Sequence, residues 1–256
     1  MIEPLDYDSI SPTYDQRYAR GGPPGVIDSL QLLVEKTQSQ RLLEVGCGTG
    51  HWLLELQVRL SCFGLDYSAG MLSEARQKNP DLKLARGIAG CLPFANNLFD
   101  MVICINSLHH FDQPGLFVSE SYRLLRKGGV LAIVGMDPSM ERDRWYVYDY
   151  FPGTCMADRL RYPSGSTIFQ WMEKAGFLTS EQNLVSLIQQ DCLGREVLHQ
   201  PFIDKHSTSQ LAMLSDEAYL SGVRQIEDDI VFAEKQDRGI QFITDIALYL
   251  VHGLKS

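Results

Sequence analysis

The stretch Leu42–Gly50, LLEVGCGTG, followed by Asp66 twenty residues after Gly46, constrains this chain more than any other feature. Arg41–Val45 reads as a short apolar strand that runs straight into three glycines at alternate positions, 46, 48 and 50. A helix starts at His51, with Trp52, Leu53, Leu56 and Leu60 at helical spacing. Glycines in such a place let the backbone turn sharply and let a ligand touch the main chain. Cys62–Leu65 is the next strand, and Asp66 ends it, where a carboxylate can accept both hydroxyls of a ribose.

The pattern repeats. Ser68 is an N-cap for a helix that Asn79-Pro80 ends, and Leu82–Ala85 is a third strand. Phe99–Ile105 is nearly all apolar, as a central strand covered on both faces should be. A helix over 114–126 and a strand over Val130–Val134 follow, joined by a turn at Gly128-Gly129. Strands alternating with helices predict right-handed crossovers and a doubly wound, mostly parallel α/β sheet. Upstream, Pro24 can open a helix that runs to about Thr37. After Met136 the alternation stops. An aromatic-rich insertion and a helix fill 137–176, the helix ending at Gly176. Residues 177–188 and 240–251 read as strands of an antiparallel edge. Between them, 189–239 reads as an acidic helical cap, with one helix starting at Ser215-Asp216-Glu217. The expected organisation is a cofactor half with an N-terminal lid (1–136), the insertion (137–176), and the final strands with their cap (177–256).

Charge excludes some partners. With 32 Asp plus Glu against 23 Lys plus Arg, the formal charge is −9. That argues against a nucleic-acid grip and against docking on an anionic membrane. No run of about 18 apolar residues predicts a transmembrane helix, and MIEPLDYDS has neither the basic nor the apolar region of a secretory signal. The six cysteines (47, 62, 91, 104, 155 and 192) show no CxxC spacing. A cytoplasmic protein with free thiols and no metal site is expected.

Two details separate the glycine turn from a nicotinamide dinucleotide site. His51 stands where GxGxxG needs its last glycine, and Glu44 enters the turn where a pyrophosphate would sit. A carboxylate there suits a cationic ligand. Four segments then carry a specific resemblance: LLEVGCGTG at 42–50, GLDYSAGML at 64–72, LPFANNLFDMVICINSLHHF at 92–111 and YRLLRKGGVLAIV at 122–134. In order and spacing they resemble the class I S-adenosylmethionine-dependent methyltransferases, in the ubiquinone-biosynthesis-type (methyltransferase type 11) group.

That resemblance implies a seven-stranded Rossmann-like sheet with an antiparallel last strand, S-adenosylmethionine as cofactor, and a small-molecule acceptor. It implies that Gly46, Cys47 and Gly48 line the methionine and ribose portion and that Glu44 serves the amino end. Asp66 would hold the ribose hydroxyls. Tyr67, Met71, Ile88 and Ala89 would surround the adenine, Asn106 would lie beside the methionine, and Tyr14 would close over the cofactor. Where family members commonly carry an acid for the adenine amino group, this chain has Ile88, which leaves adenine to packing and main chain. His110 and His109, just past the fourth strand, are candidates for a general base or for loop packing. Trp145, Tyr146 and Tyr150 are candidates for a substrate wall or for the core of the cap. Arg159 and Arg161 are either ion-paired or available to an acidic substrate. The implied reaction is O- or N-methylation by direct in-line displacement. The alternatives are a binding module without catalysis and a thiol-assisted arsenite methyltransferase using Cys155 and Cys192.

Overall fold

The computed structural model describes residues 6–18, 22, 23 and 25–256; of Thr179 and Ser180 only the backbone is described. Pro24, expected to open a helix, lies outside these residues. The helix itself, α2 (Val26–Thr37), follows a short helical turn, α1 (Tyr7–Ile10), and a 3-10 segment, Ser11–Tyr18. The alternating units then run as expected: β1 (Arg41–Val45), α3 (His51–Leu56), β2 (Ser61–Asp66), α4 (Ala69–Lys78), β3 (Lys83–Arg86), β4 (Phe99–Ile105), α5 (Pro114–Leu124) and β5 (Leu125–Gly135). Ser68 caps α4 by accepting from the Met71 N–H. Helix α3 is one turn shorter than its apolar spacing predicts, and Leu60 still packs as a buried residue of the same core. Strand β5 starts earlier than expected, because Gly128, at φ +78, turns inside an irregular pairing with β4 and does not precede the strand.

The strands lie in the order β3–β2–β1–β4–β5, all parallel. The chain leaves β1 toward β2 and later returns to its other side with β4. That reversal opens a crevice at the carboxyl ends of β1 and β4. Two apolar layers sandwich the sheet. One packs Leu30, Leu33, Trp52, Leu53, Leu72 and Ala75 against one face. The other packs Phe117, Val118, Ile168 and Met172 against the opposite face.

The second half is built on two long strands, β7 (Phe177–Leu193) and β8 (Gln241–Lys255), with a two-residue strand β6 (Arg144–Trp145). β8 enters antiparallel to β5 through Tyr249–Leu254 and pairs with β7 along its whole length. At about 3.3 Å per residue these strands outrun the parallel sheet by several residues. The overhang, where β6 pairs with Thr244 and Asp245, becomes the floor of the cap. The acidic cap expected over 189–239 therefore begins later. Residues through Leu193 are strand, and the cap proper comprises 3-10 turns at Gly194–His199 and Pro201–Ile203, then α9 (Ser209–Ala212) and α10 (Asp216–Lys235). The insertion before β7 contributes α6 (Tyr146–Tyr150), α7 (Thr154–Arg161) and α8 (Gly165–Ala175). Gly176 closes α8 at φ +102, and Ser215 caps α10 by accepting from the Ala218 N–H. A third core, holding Trp145, Tyr146, Phe151, Ile226, Ile230 and Phe242, joins insertion and cap. Among the described residues no helix is long and apolar enough to cross a membrane.

Candidate functional site

The crevice between β1 and β4 holds a cleft enclosing about 310 Å³, walled by Glu44, Gly46, Cys47, Gly48, Thr49, Ile105, Asn106 and Ser107. Tyr14, Tyr18, His51 and Trp52 complete it. The glycine turn is shaped by contact as much as by φ. At Gly46 (φ +76) an added Cβ would meet the Ser107 side chain at 2.5 Å, so the turn touches the end of β4 directly. At Gly50 (φ +75) an added Cβ would lie 3.3 Å from the Ala75 and Leu82 side chains. The close-packing glycine is thus at position 50, and His51 is free to stack on Tyr18, ring centroids 3.9 Å apart.

Two acids serve this turn. The Glu44 carboxylate is 1% exposed, and neither of its oxygens has a hydrogen-bond partner. Burial, and then the neighbouring Asp66, push its pKa well above the usual carboxylate range. Asp66 spends one lone pair of each oxygen on the protein: Oδ2 accepts from the Gly48 N–H at 2.8 Å and Oδ1 from the Ser68 N–H at 2.9 Å. An ionised carboxylate has about four acceptor positions, so roughly two stay open. A ligand with a cationic amine and a sugar diol fits both acids. It would give Glu44 the donor it lacks and would take the open positions on Asp66.

The expected cofactor residues divide into two groups. Tyr14, Glu44, Gly46, Cys47, Gly48 and Asn106 line one cleft, with Asp66 bonded into it. Asn106 takes φ +49 as its N–H donates to Val134, which turns the chain out of β4. Tyr67, Ile88 and Ala89 follow the neighbouring ends of β2 and β3. Tyr67 is 70% and Ile88 56% exposed, while Met71 and Ala89 are buried. The Arg86 guanidinium lies 5.6 Å from the Tyr67 ring, and its Nε donates to the Tyr67 carbonyl.

The N-terminal segment crosses the mouth. Asp8 accepts from the Ser68 hydroxyl and, at 2.8 Å, from the Gly70 N–H. Asp15 accepts from the Thr49 hydroxyl and pairs with Lys78. The Tyr7 hydroxyl and His110 Nε2 share a hydrogen bond of 2.6 Å. Burial, then the charges of Arg161 and Arg17, lower His110 to about 3. His109, stacked on Tyr162 at 3.9 Å, is lowered by burial, then by His110 and the same two arginines. Both imidazoles are neutral at pH 7.

A second cleft, enclosing about 380 Å³, adjoins the first and shares Asn106 and Ser107 with it. His109, Ile133, Asp137, Tyr162, Ile168 and Val251 are among its walls. None of Trp145, Tyr146 and Tyr150 lines either cleft. They pack into the third core, where the Tyr150 hydroxyl donates to Asp229. A cluster of aromatics in a polar stretch has the same sequence signature whether it packs a cap or walls a cleft. The insertion's tyrosine that does wall the cleft is Tyr162, twelve residues past Tyr150, and Tyr249 of β8 joins it there. Tyr7, Arg17 and Tyr18 were also missed, because only tertiary contact with residues 51, 110 and 207 gives them a place. Cys192 is buried in the third core and Cys155 lies on α7.

Residues 43–133, which build both carboxyl-end walls, match the family model of the methyltransferase domain. The chain is 39% identical over 113 residues to a phthiotriol/phenolphthiotriol dimycocerosates methyltransferase of Mycobacterium leprae, covering 42% of each chain. It is 30% identical over 135 residues to a demethylmenaquinone methyltransferase of Renibacterium salmoninarum, covering 50% of this chain and 55% of that one. The chain thus spans about half the length of these curated relatives. Among solved structures, a methyltransferase from an antibiotic biosynthesis pathway of Anabaena variabilis shares the fold with a TM-score of 0.70 at 18% identity, covering 89% and 96% of the two chains. Phosphoethanolamine N-methyltransferase 2 of Haemonchus contortus, solved with S-adenosyl-L-methionine, shares it at 0.57 and 19% identity, covering 97% of this chain and 57% of that one. The matched segment coincides with the strands that carry Glu44, Asp66 and Asn106, so the part of this chain that is similar to the methyltransferase domain is the part that builds the crevice.

Proposed function

We propose that this protein transfers a methyl group from S-adenosylmethionine to a small molecule held in the second cleft. The observation that carries the reading is the buried Glu44 carboxylate, with no partner on either oxygen, facing a glycine turn beside Asp66. Leaving a charge so placed is costly unless a cation meets it.

When bound, S-adenosylmethionine supplies a methyl group already activated on a cationic sulfur. The chain's own tasks are to hold, align and desolvate. Glu44 takes the amino end, the open positions on Asp66 take the ribose hydroxyls, and the turn at Gly46–Gly48 admits the ligand against the main chain. Tyr14 and Tyr18, held down by the Asp8 and Asp15 contacts, exclude water from above. Asn106 and Ser107 stand between the two clefts, so an acceptor in the second lies next to the first. Alignment for in-line attack at about 3–3.5 Å is the main demand on such a site.

The histidines take a different part in this reading from that of a base. A group held at about 3 is a weak proton acceptor at neutral pH. His110 instead fixes the lid through its hydrogen bond with Tyr7, and His109 walls the acceptor cleft through its stack on Tyr162. The relatives named for quinone and lipid methylation support a small-molecule acceptor.

Isothermal calorimetry with S-adenosylmethionine, followed by detection of S-adenosylhomocysteine over a panel of acceptors, tests the proposal. Binding with turnover on at least one acceptor is expected. Absence of binding refutes it, and binding without turnover on any acceptor favours a non-catalytic module.

A further inference from the structure

We propose that the acceptor carries an anionic oxygen, a carboxylate or an ionised phenol, whose charge is met by Arg17 of the N-terminal segment and Arg161 of α7. The inference rests on the methyltransferase reading and adds the chemical class of the acceptor.

Arg17 is a partly buried cation with only neutral partners. It donates to the Tyr14 hydroxyl at 2.9 Å and to the Ser207 carbonyl, and its guanidinium lies over the Tyr14 ring at 4.1 Å. Among the described residues no carboxylate pairs with it. Arg161 reaches the same cap loop from the other side, through Ser209 Oγ at 3.3 Å. It does pair with Asp158, at 2.6 Å. The fully buried Asp158 also accepts from the Tyr148 hydroxyl and from Gln210 Nε2, each at 2.8 Å, so its charge is shared. Arg161 Nε remains buried with no partner. Two guanidiniums therefore converge on residues 207–209 with one shared carboxylate between them.

This positive spot adjoins the acceptor cleft. The Arg161 guanidinium lies 5.6 Å from the Tyr162 ring, and Tyr162 and His109 wall the cleft. Burial pushes the Tyr7, Tyr18 and Tyr162 hydroxyls up and the His109 and His110 imidazoles down, so these neighbours are neutral at pH 7. The one acid on the cleft wall, Asp137, is occupied by the Ser139 hydroxyl and N–H and by the Gly165 N–H. It offers little to a cationic amine. On a chain of net charge −9, the site is a local exception.

The chemistry asks for no proton transfer to the histidines, which burial holds below their ordinary value. The acceptor oxygen arrives ionised, its proton left in solvent. It forms a bond to the methyl carbon as the carbon–sulfur bond breaks, and sulfur keeps that electron pair as a neutral thioether. The arginines align the oxygen and lower the cost of its ionisation.

The test titrates benzoate, 4-nitrophenolate, benzamide and benzylamine into protein saturated with S-adenosylhomocysteine, whose own affinity is measured first. Benzoate, 4-nitrophenolate or both should bind, which of them binds distinguishing the two sources of charge, and benzylamine should be the weakest. Arg17→Gln, which keeps donors for Tyr14 and Ser207, should weaken the anion by about tenfold or more, as the loss of a charge-assisted contact requires. Arg161→Gln is the second variant should the first not fold. Tighter binding of benzylamine, binding of neither anion, or an anion affinity unchanged in both variants overturns the proposal. Failure of S-adenosylhomocysteine to bind the unaltered protein instead overturns the methyltransferase reading.

Discussion

Glu44→Gln should make the ligand-free protein more stable and the cofactor weaker. In the native turn the carboxylate is 1% exposed with no partner on either oxygen. An ion taken from water without compensation costs several kcal/mol. A buried amide lacking partners costs about 1–3 kcal/mol. A difference of about 2 kcal/mol in favour of glutamine corresponds, at about 2–4 °C per kcal/mol for a chain of this length, to a melting point about 4–8 °C higher. The pH dependence has a definite sign. The folded-state pKa of Glu44 lies above its ordinary value of 4.5, so the unfolded chain releases this proton first. Below 4.5 both forms are neutral and the two proteins should differ least. As pH rises from there through the folded value, the native protein loses stability and the gap widens. Binding reverses the order. The cofactor's amino group loses a charge-assisted contact worth about 1.5–3 kcal/mol, so affinity should fall about 10- to 100-fold. The unaltered protein should bind more tightly as pH rises through the Glu44 transition, while the variant stays flat. Thermal melts with and without S-adenosylmethionine over pH 4–8 read both effects. A variant that melts lower without ligand and binds equally well would refute the argument.

Other substitutions probe the same frame. Asp66→Ala should weaken S-adenosylmethionine by tenfold or more, from loss of two charge-assisted bonds at about 1.5–3 kcal/mol each. It should also loosen the turn, because Asp66 holds the Gly48 and Ser68 N–H groups; calorimetry and a melt separate the two effects, and unchanged affinity contradicts the assignment. Gly46→Ala places a Cβ 2.5 Å from the Ser107 side chain at φ +76, so cofactor binding should be lost and the melting point should drop. Tyr7→Phe removes a hydrogen bond worth about 0.5–1.5 kcal/mol from the lid, and should raise the KM for cofactor severalfold with little change in global stability. His110, held at about 3, favours folding above its ordinary value of 6.5, and that contribution is lost as pH falls from there toward 3; His110→Gln should flatten this part of the stability profile in pH-dependent melts.

The legible part of this protein is the part made of neighbours in sequence. Glu44, Gly46, Gly48 and Asp66 belong to one β–α–β unit, and such a unit has a single hand and a single place for its loop. Periodicity therefore predicted the parallel sheet and the place of the glycine turn and its two acids. The same reasoning placed Ser68, Gly176 and Ser215 at helix ends, since capping is decided within three residues. It could not say which aromatics of the insertion line a cleft, because Tyr146 and Tyr162 differ in what packs on them and not in their local pattern.

Sequence alone thus determined the sheet, the glycine turn and the pair of acids that serve it, through interactions spanning a few residues to one crossover. Tertiary structure decided the roof. Tyr7 meets His110 across 103 positions and Arg17 meets Ser207 across 190, contacts that no periodic signal encodes. It also decided that the two histidines stay neutral. An imidazole's proton affinity follows from the burial and charge around it, and those come from segments that only the folded chain brings together.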